Sequence, residues 1–132
     1  MQKILRTGFL VGVCILSIEL TGIGMEAYAQ DCASPLSESA FDSHKKQLER
    51  ESFEEDRMKM ATTFLKQKKW KCMKVSQIKR VIKLLNFEDN QIAFAKMAYG
   101  FAHDPENYQE VIAIFTEAPT RKTLSRFINK RK

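Results

Sequence analysis

The chain has 132 residues, a formal net charge of +6 and a 44% hydrophobic content that includes nine phenylalanines. That length leaves room for one ordinary domain rather than several, and a core can be built although 29% of the residues are charged. The basic balance permits an anionic partner without demanding one, because solubility alone is a sufficient reason for net charge.

In chain order the first element is an export signal over residues 1–29. Lys3 and Arg6 form a positive start, residues 8–18 an uncharged apolar run, and Gly22 and Gly24 weaken any helix after it. The run is about 11 residues long, inside the range for a signal peptide. Ala27-Tyr28-Ala29 then offers small side chains at both recognised cleavage positions, so cutting leaves Gln30 as the new N-terminus. A membrane anchor fits less well, because Glu19 and Glu26 interrupt the roughly 20 apolar residues a span needs. Lipid attachment also fits poorly, since neither Cys14 nor Cys32 follows a small residue. The expectation is an exported protein, periplasmic or secreted, with no transmembrane span after processing. The signal holds two bases and two acids, so its loss leaves the net charge unchanged.

Behind the signal the pattern predicts an arm over 30–36, a helical domain over 37–129 and a basic tail over 130–132. The fold class is all-α, with about six short helices. Helix one spans 37–51, capped by Ser37 or Ser39, with Phe41, His44 and Leu48 on one face. Helix two spans 53–67, with Met58, Ala61 and Leu65 in phase and Met60 and Phe64 widening the stripe. Helix three carries Val75, Ile78, Val81, Ile82 and Leu85 at helical spacing, with Lys79, Arg80 and Lys83 opposite. Helix four spans 88–100, and its two apolar stripes predict a helix buried between neighbours. Helix five opens with Asp104 as cap and Pro105 at the first position, and presents Tyr108, Val111, Ile112 and Phe115 on one face. Helix six covers 120–129, with Leu124, Phe127 and Ile128 apolar.

A weak internal echo accompanies this order. Phe53-Glu54-Glu55-Asp56 resembles Phe87-Glu88-Asp89-Asn90, and residues 81–85 resemble 111–115. Each echo joins a helix end, a Phe or aliphatic latch and a helix start. That predicts three stacked helical hairpins, the packing logic of α-repeat proteins.

Taken together, Phe53-Glu-Glu-Asp-Arg-Met, Val75-Ser-Gln-Ile, Phe87-Glu-Asp-Asn, Ala95-Lys-Met-Ala-Tyr99, Asp104-Pro-Glu-Asn-Tyr108 and the late Phe115, Arg121 and Leu124 resemble domain-of-unknown-function family 4476. The resemblance covers 37–128, nearly the whole processed chain. It implies an exported helical domain of the kind found in Bacteroidetes-like Gram-negative bacteria, with an envelope or secreted address and no established activity. The chain departs from the family pattern after Pro119, where helix six is unusually basic.

Composition argues against most chemistry. After cleavage Gly100 is the last glycine left, which excludes a phosphate-cradling loop. No C-x-x-C pair supports redox catalysis, no G-x-S-x-G supports a nucleophile elbow, and no D-x-D-x-D-G loop supports calcium. His44 and His103 lie far apart without further ligands at metal spacing; His44 reads as a packed residue and Asp104 as a cap. The acids Glu51, Glu54, Glu55 and Asp56, and the pair Glu88 and Asp89, fall at helix starts, where the helix dipole favours negative charge. No catalytic residue, metal or cofactor is expected. Cys32 and Cys72 remain after processing, and in an oxidising compartment an even pair predicts one intramolecular disulfide. Free thiols or an intermolecular bridge are the alternatives.

The feature that most resembles a site is Lys66-Gln67-Lys68-Lys69-Trp70-Lys71-Cys72-Met73-Lys74, continuing to Lys79, Arg80 and Lys83. Lys68, Lys69, Trp70, Lys71 and Lys74 are its candidate binding residues: the ring would stack on a base or sugar while the ammonium groups hold phosphates or sulfates. The alternative is a solvated loop with Trp70 folded back over the core or the Cys32 arm. The leading expectation is a non-catalytic interaction module for a protein or peptide of the envelope. The second is an anionic polymer or lipid headgroup held by the 66–83 face, with nucleic acid not expected beyond the cytosol.

Overall fold

Ser37 starts the first helix: its hydroxyl accepts from the Ala40 amide at 3.3 Å, and α1 follows over Glu38–Arg50. Three acids in the first turn and a lysine in the last suit the dipole of α2, Glu54–Lys66. At α3, Val75–Ile82, the Gln77 side chain turns back to accept from the Lys74 amide at 2.9 Å. The remaining helices are α4 (Glu88–Tyr99), α5 (Gln109–Ile112) and α6 (Ala118–Asn129). This computed structural model describes residues 32–132, so the expected signal, its cleavage site and the start of the arm lie outside the described residues.

The helices form the three expected hairpins, α1 with α2, α3 with α4 and α5 with α6. Between hairpins, α2 packs on α4, α4 on α6 and α3 on α5. Two rows result, with α1, α3 and α5 in the first and α2, α4 and α6 in the second. Helix α4 contacts α2, α3 and α6, which is the burial its two apolar stripes predict. The core runs through all three hairpins and includes Phe41, Phe64, Ile78, Val81, Phe94, Tyr108, Val111 and Leu124. The α1 and α3 rims are also tied by charge: Arg80 reaches Glu38 at 2.8 Å and Asp42 at 2.5 Å. Its guanidinium lies 4.7 Å from the Phe41 ring centre.

One polar device closes every hairpin. The last carbonyls of a helix have no partner within it, and the fourth residue of each second-row helix supplies one. Arg57 donates to Leu48 at 3.3 Å and Glu51 at 2.7 Å. Gln91 donates to Ile82 at 3.4 Å and Leu85 at 2.7 Å, and Arg121 to Phe115 at 3.0 Å and Thr116 at 2.7 Å. The internal echo is therefore a repeat of function as well as of sequence.

Helix five departs from expectation. A 3-10 turn at Pro105–Asn107 precedes a single α-turn, with Asp104 at its N-cap position and Pro105 first as expected, but the Asp104 carboxylate bonds none of the turn's own backbone amides. The Asp104 carboxylate instead accepts from the Val75 amide at 2.7 Å, satisfying the first amide of α3 across the stack. The expected inner face survives, with Tyr108, Val111, Ile112 and Phe115 all buried. Helix three ends at Ile82, earlier than its pattern suggested, and Leu85 reaches the core from the turn. His44 packs as expected: it lies 2.9 Å from the Ala40 carbonyl and 4.8 Å from the Phe64 ring centre.

Candidate functional site

All three second-row helices run in the same direction, so the stack has two unlike edges. One edge gathers their C-termini and the loops between hairpins. The other gathers their N-termini and the turns inside hairpins.

The basic segment lies at the first of these edges. Its loop is rigidly folded, with the Lys69 and Trp70 amides both donating to the Phe64 carbonyl at 3.0 and 3.2 Å. Lys68 and Cys72 both adopt left-handed backbone, at φ 59° and 63°, a conformation costly for residues with a Cβ. These turns drive Trp70 inward, where it is 0% exposed. Its ring centre lies 5.0 Å from that of Phe64, 5.6 Å from Phe41 and 6.4 Å from Phe94. The stacking role considered for Trp70 is thereby corrected, because a fully enclosed indole has no face to offer a ligand. Burial of the largest apolar side chain outweighs the pull of five neighbouring lysines toward water, since each lysine stem can bend outward on its own.

The lysines divide. Lys66, Lys68 and Lys69 are exposed, whereas Lys71 and Lys74 are half-buried. Further along, Lys74 pairs with Glu38 at 3.0 Å, Lys79 with Glu110 at 3.1 Å, and Arg80 with Glu38 and Asp42. The continuous cationic face of the sequence is thus interrupted by acids from other helices. The same edge is pinned covalently, with Cys32 bonded to Cys72 and their Cα atoms 5.4 Å apart. Backbone bonds add to it: Leu36 to Cys72 at 2.8 Å, Met73 to Phe101 at 3.0 Å and His103 to Met73 at 2.7 Å.

At the opposite edge the acids do more than complement their own helices. Glu54 is nearly buried, and its carboxylate crosses to the next hairpin. It accepts from the Asn86 amide at 2.9 Å, the Phe87 amide at 3.1 Å and the Asn90 side chain at 3.3 Å. Burial alone would raise its pKa; the Asn86 and Phe87 amides, Asn90 and Arg57 outweigh it and hold the carboxyl below the ordinary glutamate value. Glu88 repeats the gesture one hairpin on, accepting from the Thr120 hydroxyl. Glu55, Asp56, Asp89 and Glu117 stay exposed.

Set among these acids are two large hydrophobic side chains, the only ones exposed among the described residues: Phe53 at 68% exposure and Phe87 at 60%. They occupy the same position, the N-cap, of α2 and α4. The Glu54 carboxylate bonded to the Phe87 amide makes the two positions neighbours. The sequence presents them as latches, yet neither packs on the core. A phenylalanine where Ser, Thr, Asp or Asn is preferred was the available signal for this, and it occurs twice. An open groove of about 510 Å³ runs along α2 from Glu55 to Lys66, with Met58, Lys59 and Thr62 lining it and Asn90 at its border; neither ring lines it.

Among the described residues no cluster of His, Cys, Asp or Glu could hold a metal ion, and no helix is long and apolar enough to cross a membrane. Residues 35–128 match the family model described as a domain of unknown function, DUF4476. No curated protein and no solved structure matches the chain.

Proposed function

We propose that this chain, which belongs to the DUF4476 family, is an exported, non-catalytic interaction module that docks a protein or peptide on its Phe53/Phe87 edge. One observation carries the reading: two phenylalanines stand exposed at equivalent positions of successive hairpins. Stability does not account for them. A Ser or Asp at each N-cap would stabilise its helix by about 1 kcal/mol more than an apolar residue does. Burying a Phe ring against a partner, by contrast, contributes about 1.5–3 kcal/mol. Export is supported by the signal pattern of residues 1–29 and by the Cys32–Cys72 bond, which suits an oxidising compartment. The basic loop supports the second reading, anionic-polymer or headgroup binding, less well, because Trp70 is enclosed and Lys74, Lys79 and Arg80 already have acidic partners.

Site-specific photocrosslinking in the producing cell tests the proposal. Benzoylphenylalanine replaces Phe53 or Phe87 with little change of shape, and the same group at Lys68 or Lys69 reports the opposite edge. Discrete protein adducts are expected from positions 53 and 87 and none from 68 and 69. Adducts confined to 68 and 69, or none at 53 and 87, would reject the docking edge.

A further inference from the structure

We infer that the occupant of this edge is a cationic peptide segment carrying two apolar side chains three residues apart, laid across the first two hairpin turns. The inference rests on the docking reading above and adds the chemistry of the partner. Its apolar part follows from Phe53 and Phe87, exposed at 68% and 60% on adjacent turns. Packed helices lie about 8–10 Å apart, so the two rings offer anchors roughly 10 Å from each other. In a polyproline-II segment the rise is about 3.1 Å per residue with three residues per turn. Residues i and i+3 therefore lie on one side, about 9 Å apart, and meet both rings.

The charge follows from what surrounds the rings. Glu55, Asp56, Glu88, Asp89 and Glu117 are exposed along the row of turns. The arginines closest in sequence do not neutralise them at the surface. Arg57 is committed to the Leu48, Glu51 and Leu84 carbonyls, and Arg121 to Phe115 and Thr116. Arg50, Lys59, Lys83 and Lys122 are the exposed cations near the row, and the five exposed carboxylates, joined by half-buried Glu51, outnumber them. The excess base of the molecule sits elsewhere, notably at the Lys66, Lys68 and Lys69 edge. Thirteen residues of α2 separate the two edges, about 20 Å at 1.5 Å per residue. That is about two screening lengths at physiological salt, so a ligand at the turns meets the local acids rather than the net +6.

The probe is a fluorescent peptide in which two leucines three residues apart are set among lysines. Two counterparts exchange the lysines for glutamates or the leucines for serines, and anisotropy is followed with the purified exported chain. The lysine–leucine peptide is expected to bind, and F53S/F87S to weaken it tenfold or more. The neutralised variant Glu55→Gln/Asp89→Asn should weaken it several-fold and flatten its salt dependence, while Lys68→Glu/Lys69→Glu leaves it unchanged. Unaltered circular dichroism and melting of each variant separate loss of binding from loss of fold. Preferential binding of the glutamate–leucine peptide, still lost in F53S/F87S, would overturn the charge class and leave the docking edge standing. Binding indifferent to F53S/F87S would overturn both. No binding by the lysine–leucine peptide, with crosslinks still formed at positions 53 and 87, would overturn the partner class alone.

Discussion

The loop edge and the turn edge use aromatic residues in opposite ways. At the loop edge Trp70 leaves a run of lysines and plunges into the core, and a disulfide, two left-handed residues and three cross-loop backbone bonds hold the chain that delivers it. At the turn edge the polar side chains of Glu54, Arg57, Gln91 and Arg121 do the joining, and Phe53 and Phe87 are left outside. The difference separates two tasks. An aromatic that closes a core needs a rigid backbone to steer it inward, whereas the partner-facing role proposed for Phe53 and Phe87 needs turns already closed without them.

Changes at Trp70 test that contrast most severely. Trp70→Ala should cost about 3–5 kcal/mol of stability, the range for deleting a large buried aromatic, and a large part of the margin of a domain this size. Urea denaturation measures it directly. A loss below about 1 kcal/mol would mean that the loop edge is not anchored by the indole.

Glu54 is the next test and belongs to the turn edge. Glu54→Ala strips the Asn86 and Phe87 amides of their acceptor and should cost about 2–3 kcal/mol, as expected for bonds to a buried charged group. The carboxyl is held below its ordinary value in the folded chain. Its stabilising contribution is therefore complete above the unfolded value, near 4.5, and is lost as pH falls from there through the lower folded value. Glu38, lowered by its bonds from Lys74 and Arg80, adds a slope of the same sign. Urea midpoints measured across this acid range should fall less steeply for Glu54→Gln than for the parent chain. Parallel slopes would remove Glu54 from the account.

The smallest effect has the opposite sign. Lys68 holds φ at 59°, which glycine adopts without the Cβ penalty. Lys68→Gly should therefore raise stability by about 0.5–1 kcal/mol in the same assay. A decrease would show that the Lys68 side chain contributes more to the loop than its backbone conformation costs.

Much of this architecture is legible in the sequence because helices announce themselves locally. Ser37 is a cap in sequence and in space, Val75, Ile78, Val81 and Ile82 recur in phase and are buried, and the echoed residues do form successive turns. The even count of two cysteines after processing made the Cys32–Cys72 pairing the favoured arrangement among three, and the bond is present. The candidate site was less legible. Lysine density drew attention to Trp70, but density along the chain says nothing about which way a side chain turns. The Phe53 and Phe87 rings read as latches because an apolar residue beside a helix start commonly packs on it.

What the sequence determined by itself is the set of helices, their faces and their pairing into hairpins, since these follow from periodicity and caps within a few turns of chain. What only the tertiary structure decided is the assignment of polar and aromatic groups between hairpins. The Asp104 carboxylate serves the first amide of α3, Glu54 serves the start of α4, Trp70 lies inside and Phe53 and Phe87 outside. The two carboxylates depend on amides about 30 residues away in the sequence, and Trp70 on rings contributed by three different helices. A carboxylate follows unsatisfied amides, and a ring follows available apolar volume, wherever packing places them.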